Sequence, residues 1–155
     1  MGEHPAVIGV IGAGLCEDSI YQIAVKVGEE IAKRGGILVC GGLGGVMEAA
    51  AKGASMAGGL TVGILPGPSI NSANPYIRLP VATDMGQARN VIIAHTADAL
   101  VAVAGGAGTL SEIGHSLKIG KPVVGLQTIP GIPGVQYLDS AREAVARAFE
   151  LIRST

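Results

Sequence analysis

Two glycine-rich segments of this chain spell nearly the same eight-residue phrase. The first is Gly41-Gly42-Leu43-Gly44-Gly45-Val46-Met47-Glu48, and the second is Gly105-Gly106-Ala107-Gly108-Thr109-Leu110-Ser111-Glu112. Each follows a short apolar run, residues 36–40 and 99–104, and each opens a helix-like stretch of small residues. A strand, a tight glycine turn and a helix start leave unpaired backbone N–H groups facing outward, at an end carrying about half a positive charge. Glycine permits φ > 0 and lets a ligand approach with no Cβ between. Two such turns in one chain suggest a ligand that bears phosphate. Each phrase closes on a carboxylate, Glu48 or Glu112, one turn into its expected helix. That group serves either chemistry or the helix dipole.

The rest of the chain repeats the alternation. Apolar runs at 6–11, 37–40, 61–65, 76–81, 99–104 and 122–126 read as strands. Helical periodicity covers 18–34, capped by Asp18 or Ser19, and 45–57. Further helices are expected at 83–95, capped by Thr83 or Asp84, at 109–119 and at 139–152. Residues 66–75, rich in Pro, Ser and Asn, read as an irregular loop. Strands apolar throughout and alternating with helices imply an α/β fold, a doubly wound, mostly parallel, Rossmann-like sheet covered on both faces. Residues 1–155 are expected to form one nucleotide-binding domain. Ligands in such sheets sit at the carboxyl ends of the strands. Both phrases fall there, together with Gly12-Ala13-Gly14 and Pro66-Gly67.

Composition narrows the partners. Apolar residues make up 48% and charged ones 15%, which argues against disorder and for a buried sheet with an oligomer interface. The net charge of −1 and the scatter of Tyr21, Tyr76, Tyr137 and Phe149 give no footprint for nucleic acid. No apolar run reaches the length of a membrane span, and Met1-Gly2-Glu3-His4-Pro5 lacks the basic start of a signal peptide. A cytoplasmic, reduced protein is expected, with Cys16 and Cys40 as small structural residues and no metal site.

Several familiar motifs fail. Gly12-x-Gly14 begins a dinucleotide fingerprint, but Glu17 stands where the third glycine belongs, and no acid ends the second strand. No P-loop or G-x-S-x-G elbow is present. Glu112 and His115 have E-x-x-H spacing only once, so His115, like His95, is read as structural. What remains is Arg89, within Gly86-Gln87-Ala88-Arg89-Asn90 near a helix start that the fold delivers to the same edge. A guanidinium there can clamp phosphate or carboxylate bidentately. Arg89, Glu112 and the 105–109 turn thus converge on one phosphorylated ligand.

These residues resemble the family of the "lonely guy" (LOG) phosphoribohydrolases and the molybdenum-cofactor carrier proteins. The signature P-G-G-x-G-T-x-x-E is matched by Gly105, Gly106, Gly108, Thr109 and Glu112, with Ala104 in place of its proline. The earlier G-G-x-x-G-x-M element is matched by Gly41, Gly42, Gly45 and Met47. The arginine of the family's R-K motif falls on Arg89, and Asn90 replaces the lysine. The similarity spans residues 7–126 and, in its Ala-Arg-Asn version and short length, is nearer the carrier branch.

The resemblance implies a Rossmann-like fold and a homodimer or homotetramer. In the hydrolases the matching arginine and glutamate serve cleavage of the base–ribose bond of a nucleoside 5′-monophosphate. A carboxylate near the developing oxocarbenium stabilises it or orients water. In that reading Arg89 and Glu112 are catalytic. In the carrier reading the same cleft holds a pterin phosphate, the molybdenum cofactor, or a nucleotide without turning it over. In both, Gly12, Gly14, Gly41, Gly42, Gly45, Met47, Arg89, Asn90, Gly105, Gly106, Gly108 and Thr109 bind the ligand. Binding or carrying ranks first and phosphoribohydrolysis second. Nucleic-acid processing, as in related DNA-processing proteins, comes last for want of basic charge. The "lysine decarboxylase" label often given to such proteins finds no support, since neither Lys118 nor Lys121 stands in a pyridoxal-phosphate setting.

Overall fold

Short strands of Val, Ile, Leu and Ala cannot face water on either side, so they assemble into one sheet with helices over both faces. In the computed structural model, which describes residues 3–153, the strands are β1 (Val7–Gly12), β2 (Ile37–Cys40), β3 (Thr61–Leu65), β4 (Leu79–Ala82), β5 (Ala99–Val103), β6 (Val123–Leu126) and β7 (Val135–Tyr137). The helices are α1 (Asp18–Lys33), α2 (Val46–Met56), α3 (Arg89–Thr96), α4 (Ala107–Lys118) and α5 (Ala141–Arg153). All strand pairs are parallel, in the order β4-β3-β2-β1-β5-β6-β7. The chain winds outward to β4, then returns through α3 to lay β5 beside β1. The switch point therefore lies between β1 and β5, with Ile8 opposite Ala99 and Gly12 opposite Val103. The expected α/β doubly wound fold is the one observed.

Alternation along each strand splits the core. Ile8, Val10, Val101 and Val103 pack with Val27 and Ile31 of α1, Ala50 of α2 and Val145 of α5. Ile11, Leu100 and Ala102 face the other way, against Ile93 of α3 and Ile113 of α4. The α3–α4 side is thinner, because α3 spans only 8 residues.

The sequence expectations differ from the structure at several points; β4, expected over 76–81, is Leu79–Ala82, and α4, expected from 109, begins at Ala107. A seventh strand, β7, follows Gly134; its 3 residues carry too little pattern to be seen. The N-cap of α1 is Glu17, not Asp18 or Ser19, and its side chain makes no cap bond. The 66–75 loop contains a 3₁₀ turn, Ile70–Ser72, whose first free N–H groups are met by Ser69 Oγ accepting from Asn71 N at 3.1 Å. Most tellingly, Thr83 and Asp84 do not cap α3. Thr83 Oγ1 donates to Leu65 O at 2.6 Å and accepts from Met85 N at 3.2 Å, turning the chain instead. A 3₁₀ turn at Gly86–Ala88 intervenes, and α3 begins at Arg89 itself.

Helices α1 and α2 touch backbone to backbone. A Cβ on Gly28 would overlap the Ala50 carbonyl oxygen, and one on Gly53 would overlap the Val25 carbonyl oxygen. Both glycines are buried in helix interiors, where Ala would otherwise be favoured. Gly53→Ala should therefore lower stability by about 1–3 kcal/mol, the range for overpacking. A urea midpoint unchanged or raised, at constant slope, would remove this account of the helix pair.

Candidate functional site

A cleft of about 550 Å³ opens beyond the carboxyl ends of β1, β2 and β5, at the switch point. The loop after β1 contributes Gly12, Ala13, Gly14 and Leu15; the loop after β2 contributes Gly41, Leu43 and Met47. From the segment entering α3 come Gln87, Arg89 and Asn90, and from α4 come Gly106, Gly108, Thr109 and Glu112. Sequence reasoning had assigned a ligand role to most of these. Three of its residues do not line the wall but shape it. Gly42 is buried beneath Leu65, Gly45 abuts the Ala13 carbonyl, and Gly105 lies against Thr109.

The two look-alike phrases fold differently. In the first, α2 begins at the sixth residue, Val46, and its leading N–H is already bonded to Ala13 O at 2.9 Å. Asn74 seals the turn from the other side: its N–H donates to Gly42 O at 2.9 Å, and its Nδ2 donates to Leu43 O at 2.8 Å. In the second, α4 begins three residues sooner within the phrase, at Ala107, with Gly106 as N-cap and no side-chain cap. Gly106, Ala107 and Gly108 are exposed. Their position leaves the first-turn N–H groups without intrahelical partners. The first phrase is thus tied through its carbonyls to Asn74, while the second leaves its helix start exposed.

The carboxylates part company for the same reason. Glu48 lies in the first turn of α2, where it suits the dipole, and Tyr21 Oη donates to its Oε2 at 2.8 Å. Burial, with that bond, pushes the Tyr21 hydroxyl up to about 12. Glu112 lies beyond the first turn of α4, so dipole matching does not account for it. Its half-buried carboxyl has no hydrogen-bond or ion-pair partner among the described residues. Burial pushes it up to about 7, with the Arg89 charge pulling the other way.

Arg89 is 6% exposed, so it is not the solvated helix residue that its position would allow. Its Nε donates to Ile64 O at 2.8 Å and its Nη2 to Gly41 O at 3.4 Å, while Nη1 donates to Asn90 Oδ1. Burial holds its pKa below the usual arginine range, and Glu112 opposes that shift. Three of its five N–H groups are thus engaged, and one on each Nη remains. Gln87, Leu43 and Leu15 were missed by sequence reasoning. Gln87 stood inside the Gly86–Asn90 segment and was passed over for the charged residue. Asn74 was missed as well, although an Asn-Pro step is a turn signal.

His95 and His115 meet edge to face at 5.7 Å, and Nε2 of His115 is buried with no partner. Cys16 and Cys40 are free thiols outside the cleft wall, and burial pushes Cys40 up to about 11. Among the described residues no three His, Cys, Asp or Glu stand as a metal site, and no helix is long and apolar enough to cross a membrane.

The chain's resemblances bear on this cleft. A family model described as the SLOG cluster4 family matches residues 5–151. An uncharacterised protein of Archaeoglobus fulgidus is 53% identical over 138 residues, covering 89% of this chain and 91% of that one. The molybdenum cofactor binding protein of the phototrophic bacterium Rippkaea orientalis superposes with a TM-score of 0.88 at 32% identity, over 99% of this chain and 98% of its own. The molybdenum cofactor carrier protein of Chlamydomonas reinhardtii gives a TM-score of 0.88 at 34% identity, over 98% of this chain and 100% of its own.

The position of Glu112 has a thermodynamic signature. Its carboxyl titrates near 7 in the folded chain but near 4.5 when unfolded. Between those values the folded state holds a proton that the unfolded state has released, so stability falls as pH rises through that window. Above it the loss persists. Glu112→Gln should therefore raise the melting temperature at pH 8 and leave it nearly unchanged at pH 4.5. Equal effects at both pH values would show that the carboxyl is not desolvated.

Proposed function

We propose that this chain, which belongs to the SLOG cluster4 family, binds and carries a phosphate-bearing, nucleotide-like ligand, a pterin phosphate such as the molybdenum cofactor or a nucleotide. The open first turn of α4, facing the same cleft as an unpartnered carboxylate, carries this reading. The phosphate sits on the N–H groups of the 106–109 turn, and the two remaining N–H groups of Arg89 reach toward it. The described cleft wall offers no thiol, so a metal-bearing cargo is held through its phosphate and ring.

Two features favour carrying over hydrolysis. Ala104 has φ of +52°, a conformation closed to the proline of the hydrolase signature, whose ring fixes φ near −65°. Its turn is pinned by Thr128 Oγ1 donating to Ala104 O at 2.7 Å. Asn90 stands where the hydrolases have a second cation, and its side-chain oxygen is taken by Arg89. One observation favours the hydrolase: a carboxyl titrating near 7 is suited to proton transfer at neutral pH.

Phosphate or AMP should raise the melting temperature, and Gly108→Val should abolish the rise. Gly108 takes ordinary helical backbone and a Cβ there meets no protein atom, so the variant acts on ligand space alone. An undiminished rise in Gly108→Val would remove phosphate from this turn. Incubation with nucleoside monophosphates should release little or no free base. Rapid release that Glu112→Gln slows by orders of magnitude would establish the hydrolase instead.

The same proposal includes a homo-oligomer. Leu79 and Val81 on the edge strand β4, Met85, and Leu110 of α4 are all exposed. Light scattering at micromolar concentration should give at least twice 15.4 kDa. A monomer would count against any site shared between subunits.

A further inference from the structure

The cleft continues into a second lobe of about 420 Å³ between α3 and α4. Gln87, Asn90, Gly108 and Glu112 belong to the walls of both lobes, and the second adds Val91, Ser111 and His115. Each lobe falls within the range of about 300–1,000 Å³ usual for small-molecule sites. Gly106 and Thr109 of the phosphate turn line the first lobe alone, while Gly108 and Glu112 stand where the two lobes meet.

We propose that the second lobe is a ring-recognition subsite, in which Glu112 accepts hydrogen bonds from the ring N–H and exocyclic amine of a 2-amino-4-oxopyrimidine system, the edge common to guanine and pterin. The inference rests on the reading of the cleft as a site for a phosphorylated ligand, and goes beyond it in naming the ring.

The chemistry of the wall selects that edge. A carboxylate has acceptors only, and two parallel N–H donors satisfy both of its oxygens. A half-buried carboxylate with no protein partner is costly until such donors arrive. The neighbouring oxo group of the ring needs a donor. The Gln87 amide supplies it: its oxygen accepts from Asn90 Nδ2 at 3.4 Å, which leaves its own N–H₂ free. Asn90 in turn is held by Arg89, so the amide pair has a fixed polarity, with donors outward. Val91 offers an apolar surface to the ring, on the same wall of the lobe. Adenine presents a ring lone pair flanked by a single amine, and the lone pair opposes an ionised Glu112. Hypoxanthine keeps the ring N–H and the oxo group but lacks the 2-amine.

The test compares GMP, IMP, AMP and inorganic phosphate by calorimetric titration at pH 8, where Glu112 is ionised. GMP should bind about tenfold more tightly than IMP, the worth of one hydrogen bond to a charged group, and AMP more weakly still. Glu112→Gln should erase the GMP advantage while phosphate binding persists. Gln87→Ala, at an exposed position, should weaken GMP and IMP but not AMP. AMP binding as tightly as GMP, or a GMP preference that survives in folded Glu112→Gln, overturns the subsite while leaving the phosphate cradle standing. Absence of binding by all four probes overturns the cleft reading and the subsite with it.

Discussion

A buried guanidinium holds the binding edge of this protein together. Arg89 begins α3, yet its side chain runs back under the sheet edge to the carbonyls of Ile64 at the end of β3 and Gly41 after β2. Those carbonyls lie past the last ladder bonds, where backbone oxygens need partners. A charge so deeply buried is costly unless it is fully bonded. Here the cost is offset by two carbonyl oxygens and the Asn90 side chain. The same contacts set the floor of the cleft, since Gly41 has no room for a Cβ between Arg89 and Met47. Arg89 is therefore first a structural tie and second a cation facing the ligand space. Removing it would leave acceptors unpaired as well as removing a charge.

That tie also explains why two nearly identical phrases have different fates. The first glycine turn is drawn inward by Arg89 at Gly41, by Asn74 at Gly42 and Leu43, and by Ala13 at Val46. Three of these bonds engage carbonyl oxygens of the turn, and the fourth takes the Val46 N–H. The second turn has no such partners among the described residues. It lifts away from β5 through left-handed backbone at Ala104 and Gly105, and a side chain at Gly105 would strike Thr109. Because α4 starts three residues earlier in its phrase, Glu112 lies past the first turn and faces the cleft, while Glu48 stays in the first turn with Tyr21. The register of a helix start, not the residue types, decides which carboxylate faces the cleft.

Much of this was legible in the sequence, for reasons that differ by element. Strands β2 and β3 were bounded to the residue because glycine pairs and polar turns fence them. Convergence of Arg89, Glu112 and the second turn on one cleft followed from the strand–helix alternation. The start of α3 was misplaced, because Thr83 reads as a helix cap in sequence but is claimed by Leu65 O in space. The different helix starts of the two phrases were likewise hidden in sequence. Nothing local announces that Asn74, 30 residues downstream of Gly44, will close the first turn. The short β7 was invisible for lack of pattern, and Gln87 for lack of charge.

The position of Ala104 connects backbone geometry to chemistry. Left-handed backbone at a non-glycine residue persists only where its surroundings enforce it. Here Ala104 N–H reaches Leu126 O at 3.3 Å and its oxygen accepts from Thr128, so β6 and the loop after it hold the turn. A proline at this point would need a negative φ and would lack that N–H. The turn that follows would then leave the strand along another path and present α4 at another angle. One backbone torsion thus sets how α4 leaves β5, and with it where Glu112 stands in the cleft.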